Sequence, residues 1–301
     1  MANHPAAEIF VDTHLVQRLL REQHPSLADE PLLPVANGWD NYIFRLGADH
    51  AVRLPRRVSA AQLTANEQQW LPGLTSNLPV ATSAPVLAGR PSEAFPWPWN
   101  ITRWFDGVEV SLQPRDRNTA LANQLAGFLN VFHQPAPPGF PYNAVRGVPL
   151  EERNDAVRDR LASGMVPHAA RVRELWEAGL KLPPWPGPAL WLHGDLHPGN
   201  LVGTADGSTL QAVIDFGDLT AGDPATDLAA AWLVFDQNGR SAFRAALGSQ
   251  YDGDPCVWGR AQAWAVCMAS ALLSNSDDHP GMYLLGSETL MEILTDVPDW
   301  L

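Results

Sequence analysis

The sequence predicts an α+β fold in two parts, a smaller β-rich part over residues 1–105 and a larger helical part over residues 106–301. Three observations carry this expectation. Short apolar runs separated by turn residues fill the stretch from Tyr42 to Trp104, the pattern of strands and hairpins. Helical spacing of apolar residues dominates from Asn118 onward. Interrupting the helical part, two short hydrophobic runs end on polar loops, in WLHGDLHPGN (191–200) and LQAVIDFGD (210–218).

Taken in order, Asp12 or Thr13 caps a helix carrying Leu15, Val16, Leu19 and Leu20, which ends before Pro25. Tyr42–Leu46 and Ala51–Leu54 read as strands joined through Gly47-Ala48-Asp49-His50, a hairpin connection. AAQLTANEQQWLPGL is a helix, and Trp99–Trp104 is strand-like and ends at Phe105-Asp106-Gly107. Asn118–His133 is an amphipathic helix, followed by a Pro-rich loop from Gln134 to Pro149. Glu151–Gly179 is mostly helical, and Pro183–Pro188 links it to Leu201-Val202 and Leu210–Ile214, two strands paired around a turn at Thr204–Ser208. After Asp227 the chain is helical, with Trp232, Phe235, Phe243, Trp258, Trp264, Met268 and Leu272 as apolar positions.

Composition narrows the classes of function. The net charge of −13 argues against a nucleic-acid partner, which needs a basic stripe. No apolar run approaches the roughly 20 residues of a membrane span, and MANHPAAEIF lacks the basic and apolar segments of a signal peptide. A cytoplasmic enzyme, a monomer or weak homodimer, is the expectation. Cys256 and Cys267 would lie about 16 Å apart on one helix, too far for a disulfide.

The residue types in the two polar loops suit phosphoryl transfer. A migrating γ-phosphoryl needs in-line positioning and charge neutralisation more than covalent help. Asn200 offers an amide oxygen and Asp215 a carboxylate to Mg²⁺, a hard cation that prefers oxygen. Asp195 is then free to take the proton of an acceptor hydroxyl. A rival reading makes His193, Asp195 and His197 a zinc cluster, but it leaves Asn200 and the IDFGD segment without a purpose. His193 and His197 read as loop-shaping groups, and Asp223 and Asp227 as helix-start and loop-anchoring acids.

The order H-G-D, four residues, N, then I-D-F-G resembles the catalytic and metal loops of the aminoglycoside phosphotransferase family, whose members share the eukaryotic protein-kinase architecture. Gly194 stands where protein kinases carry arginine. The resemblance implies a protein-kinase-like, two-lobed fold and ATP or GTP as co-substrate. It places the turn Asn37–Asn41, with Gly38 and Asn41, over the phosphates, and puts Arg53 where a lysine is usual. The single lysine of the chain, Lys181, falls in a Pro-rich linker. Arginine keeps the charge, with different reach and geometry. Glu67 is the expected partner of Arg53, with a solvated helix face as the alternative; the Arg103 carbonyl and the Phe105 N–H are the implied adenine contacts.

For the acceptor, the resemblance implies a pocket on the C-terminal helices, with Asp236, Asp277, Asp278 and Glu288 as acids that could meet amino groups. Trp and Met in the same region suit a large apolar acceptor, and GWDN followed by VRLPRR resembles macrolide kinases at least as closely. The expected function is transfer of a γ-phosphate to a hydroxyl of an aminoglycoside or macrolide. The alternatives are a metabolite kinase acting on a sugar, choline or amino-alcohol, and a nucleotide-binding protein without catalysis.

Overall fold

Strand alternation in the N-terminal sheet decides where the first functional side chains point. In this computed structural model, which describes residues 6–276 and 279–296, a helix α1 (Thr13–Gln23) is capped by Asp12, whose carboxylate accepts from the Leu15 N–H at 2.9 Å. Strands β1 (Leu32–Asn37), β2 (Asn41–Leu46) and β3 (His50–Pro55) follow, and then helix α2 (Val58–Leu74). Strands β4 (Ala81–Thr82), β5 (Pro85–Gly89) and β6 (Trp99–Arg103) complete this part. The sheet order is β1-β2-β3-β6-β5, antiparallel throughout.

On one face, Phe44, Leu46, Val52, Leu54 and Ile101 pack with Val16, Leu19 and Leu20 of α1. Burial of three such aliphatic side chains stabilises α1 by about 1.5–3 kcal/mol each. Because successive side chains of a strand point to opposite faces, Arg53 and its register partner Asn100 are turned the other way, toward α2. The edge strands β1 and β5 have no counterpart in the expectations from sequence. Both carry proline and expose apolar residues, among them Leu33, Val35, Val86 and Leu87, so neither shows the alternation that marks a half-buried strand.

Strand β7 (Val108–Glu109) leads into helix α3 (Ala122–Phe132), preceded by a 3₁₀ segment from Arg115 to Leu121 where a single helix from Asn118 was expected. Helices α4 (Asn154–Ala162) and α5 (Ala169–Gly179) come before strand β8 (Leu190–Leu192). Strands β9 (Leu201–Gly203), β10 (Leu210–Val213) and β11 (Thr220–Gly222) then carry the polar loops. One sheet runs β4-β10-β9-β7 and a two-stranded ribbon pairs β11 with β8.

Helices α6 (Ala225–Leu228), α7 (Ala230–Leu233), α8 (Gln237–Leu247), α9 (Val257–Asn275) and α10 (Pro280–Thr295) close the chain. Helix α9 is buried on nearly every side, against α10, α6, α5 and α4, as expected of a helix that is apolar all round. Trp176, Trp232 and Trp264 fill this core. Cys256 caps α9 and Cys267 lies within it; neither is disulfide-bonded. Among the described residues no helix is long and apolar enough to cross a membrane.

Candidate active site

Short strands ending in the C-terminal core aim two loops at one place. The first, from His193 to Asn200, leaves β8 through Gly194, which has φ 86°. A Cβ there would lie 2.3 Å from the Asp218 carbonyl, so both backbone conformation and space require glycine. The loop is anchored from below by Asp227, fully buried, whose carboxylate accepts from the backbone N–H of His193 at 2.7 Å and of Gly194 at 2.9 Å. His193 Nε2 donates to the Ile214 carbonyl at 2.9 Å and its Nδ1 accepts from the Asp195 N–H at 3.2 Å. Both ring nitrogens are thus engaged, Nε2 across to the second loop and Nδ1 within the first, which removes His193 as a metal ligand. Gly194→Ala is expected to cost about 2 kcal/mol or more, from backbone strain together with the clash, read as a shift in the urea unfolding midpoint.

Asp195 sits between Arg146 and His197. Arg146 donates from Nη2 to Oδ1 at 2.8 Å, and His197 Nε2 lies 3.4 Å from Oδ2. Burial alone would raise its proton affinity, but Arg146 and then His197 outweigh burial and hold the carboxyl well below the usual carboxylate range. His197 is shifted the other way: burial lowers its affinity, and the Asp195 charge more than restores it. The Nδ1 atom of His197 accepts from the Gly199 N–H at 3.0 Å, the loop-shaping part expected of it. Arg146 also approaches Asp218 at 3.5 Å, and Asn143 donates to the same carboxylate at 2.8 Å.

The second loop holds Asp215 at φ 61°, an uncommon conformation for a residue other than glycine, at which aspartate is among the more tolerated. Its N–H donates to Ser83 Oγ at 3.1 Å, and the adjacent Ile214 N–H donates to the Asn200 carbonyl at 2.9 Å. Arg53 reaches Asp215 Oδ1 at 2.8 Å from Nη2 while Nη1 meets both oxygens of Glu67 at 3.2 Å. Glu67 is 3% exposed and Arg53 7%, so Glu67 does not lie on a solvated helix face. Asn100 adds a third hydrogen bond to Glu67 at 2.7 Å, which satisfies a carboxylate whose proton affinity burial pushes up.

These residues fit Mg²⁺ by donor chemistry. The Asn200 amide nitrogen donates to the Asp195 carbonyl at 2.9 Å, which leaves its oxygen for a ligand. The Asp215 side chain is 54% exposed and Arg53 takes only Oδ1. One carboxylate and one amide oxygen, supplemented by phosphate oxygens and water, form the kind of set this ion accepts.

Above these loops lies the turn from Gly38 to Asp40. The Gly38 N–H donates to the Asn41 carbonyl at 2.9 Å, the Gly38 carbonyl accepts from Arg56 at 2.9 Å, and Arg57 holds Asp40 at 2.5 Å. Burial raises the Asp40 carboxyl, and the Asp215 charge adds to that shift despite Arg57, which puts the turn within electrostatic reach of the Asp215 loop. At the end of β6, the Trp104 N–H turns toward β3 and donates to the Asp49 carbonyl at 2.8 Å. Strand alternation therefore directs the Arg103 carbonyl and the Phe105 N–H to the opposite edge, where β5 pairing has already ended at Thr102.

The acids expected at the acceptor are differently placed. Asp236 caps α8 by accepting from the Gly239 N–H at 2.8 Å, and Glu288 pairs with Arg115 at 3.5 Å. Both thus have partners within the protein, and Asp277 and Asp278 lie outside the described residues. Sequence reading missed Arg146, Asn143, Asp218, Ser83 and Asn100. Only Asp218 carried a signal, as the last residue of the IDFGD run; the others come from segments brought in by tertiary folding alone.

Residues 31–264, a span that includes the five-stranded sheet and both polar loops, match the phosphotransferase enzyme family (APH). No curated protein matches the sequence. Among solved structures, the chain is similar to the GDP complex of wild-type aminoglycoside 2'-phosphotransferase-IIIa, with a TM-score of 0.68 at 18% identity over 95% of this chain and 100% of that one. It is also similar to the macrolide 2'-phosphotransferase type I, with a TM-score of 0.63 at 18% identity over 96% and 99%. A streptomycin-ATP-APH(2")-IIa ternary complex gives 0.60 at 16% identity over 96% and 98%. At these identities the structural likeness speaks for the shared kinase-like α+β fold, and the family match covers most of the chain. Arg53 on Glu67, Asp195 in its loop and Asp215 facing Arg53 all lie inside the matched span, and the chain belongs to the phosphotransferase enzyme family.

Proposed function

We propose that this protein is a small-molecule kinase that transfers the γ-phosphate of ATP or GTP to a hydroxyl of an antibiotic-like acceptor, an aminoglycoside or a macrolide. The observation that carries the reading is the juxtaposition of a buried Arg53–Glu67 pair with Asp215, while Asp195 stands in the adjoining loop. Asp195 takes the proton of the acceptor hydroxyl as its oxygen bonds to phosphorus. Arg53, oriented by Glu67, supplies positive charge to the nucleotide phosphates. Mg²⁺ held by Asn200 and Asp215 would neutralise charge on the transferring group. The Gly38–Asn41 turn offers backbone N–H groups to phosphate, and Arg103 and Phe105 offer a backbone carbonyl and N–H to the purine. Support for the donor comes from neighbours solved with GDP and with ATP, and support for the acceptor from neighbours that are aminoglycoside and macrolide phosphotransferases.

A metabolite kinase of the same fold is the second reading. It is favoured by the engagement of Asp236 and Glu288 within the protein, which leaves these two acids less available to an aminosugar. Turnover of Mg-ATP and Mg-GTP against aminoglycosides, macrolides, sugars and amino-alcohols separates the two; stimulation by no member of the panel would sink both.

Arg53→Ala is expected to raise the apparent nucleotide KM by on the order of tenfold or more, the loss of a charge-assisted contact. Arg53→Lys should retain part of the affinity, since the charge survives without the bidentate fork. An unchanged KM in Arg53→Ala would show that another residue holds the phosphates.

A further inference from the structure

Residues 136–149 connect α3 to the helices that follow without helix or strand of their own, yet the segment is strapped down across the catalytic side of the molecule. Thr220 Oγ1 donates to the Pro141 carbonyl at 2.8 Å, Asn143 donates to Asp218 at 2.8 Å, and the Asp223 N–H donates to the Gly147 carbonyl at 3.4 Å. Gly147 presses on β11 so closely that a Cβ on Gly222 would lie 2.0 Å from the Gly147 carbonyl. The strap delivers Arg146 to Asp195 Oδ1 at 2.8 Å, and His197 already stands at Oδ2 at 3.4 Å. Both oxygens of the carboxylate that must receive a hydroxyl proton therefore face a cationic or proton-donating side chain.

We propose that Arg146 is a positioning residue that restrains Asp195 until an acceptor shifts the strap, and so selects an acceptor hydroxyl over water. This rests on the kinase reading of the site. An acceptor brings binding energy from the rest of its structure that can be spent on moving the strap. Water brings none. In the suppressed reaction a water oxygen bonds to the γ-phosphorus, the bond from that phosphorus to the β–γ bridging oxygen breaks, and Asp195 takes the water proton, leaving nucleoside diphosphate and inorganic phosphate.

The test is phosphate release from Mg-ATP and Mg-GTP without any acceptor, with nucleotide binding followed separately as a rise in melting temperature. Arg146→Ala is expected to raise acceptor-free release by on the order of tenfold, the lower part of the range spanned by general-base effects. Arg146→Lys, which can still place a charge at Asp195, should bring release at least halfway back toward wild type. Combining Arg146→Ala with Asp195→Asn should abolish the gain, showing that it passes through the base. A merely structural role for Arg146 would lower release in Arg146→Ala rather than raise it. Thr220→Val loosens the strap without removing a charge, and it should raise release in the same direction by a smaller factor; it decides the matter if Arg146→Ala does not fold. Release at or below the wild-type level in the folded variants that still bind nucleotide overturns the proposal alone. Absence of nucleotide binding by the wild type overturns both the proposal and the kinase reading.

Discussion

Asp195→Ala should lower acceptor-dependent phosphoryl transfer by about 10²–10⁴-fold, the usual contribution of a positioned general base, while Mg-nucleotide binding changes little. The expectation follows from where Asp195 stands. Its carboxylate is held ionised by Arg146 and His197, and it is separate from the Arg53–Glu67 pair proposed for the phosphates and from Asp215, proposed for Mg²⁺. The loss should therefore fall on kcat, with the nucleotide KM near wild type. Steady-state kinetics together with calorimetric nucleotide binding checks both halves. Turnover within a few-fold of wild type would remove Asp195 from the chemistry; a matching loss of nucleotide binding would mean the substitution had disturbed the metal loop instead.

Asp227→Ala is expected to be the most destabilising single change at the site. One buried carboxylate accepts from the His193 N–H, the Gly194 N–H and His133 Nε2 at 2.7, 2.9 and 3.1 Å. His133 in turn shares a 2.6 Å hydrogen bond with Tyr251. Removing the carboxylate strands two buried backbone donors, and each such group costs about 1–3 kcal/mol. A loss of about 3–5 kcal/mol in urea unfolding is the expected result. Asp227→Asn keeps the shape and one acceptor oxygen but turns an NH₂ group toward a donor, so it should recover only part of that loss. A cost under about 1 kcal/mol for the alanine variant would show that water or a rearranged loop satisfies both N–H groups.

The elements that sequence reading placed correctly are those whose signal is local. The Asp12 cap, the hairpin turning at Gly47 (φ 59°), β6, and the β9–β10 hairpin each depend on side-chain periodicity and turn chemistry within a few residues. Asp195, Asn200 and Asp215 lie close together in the chain because the β9–β10 hairpin flanks the loops that hold them. Glu67 was the expected partner of Arg53, and the alternation of β3, which turns Arg53 toward α2, decides for the pair over a solvated helix face. Acceptor acids fared differently, since a carboxylate in a helical region has no local mark that separates a cap from a ligand site. Asp236 proved to be a cap.

Taken alone, the sequence determined the α+β fold class, the two polar loops and the residue types they carry, because these follow from periodicity and from spacing along one hairpin. Only the tertiary structure decided what surrounds them. Arg146 arrives at Asp195 from 49 positions away, Asp227 reaches under the His193–Asn200 loop from 34 and 33, and Arg53 meets Asp215 across 162. Contacts of that separation are set by how the sheet, the strap and the buried helices pack together. No short-range pattern in the chain encodes them, and it is they that set the surroundings of Asp195.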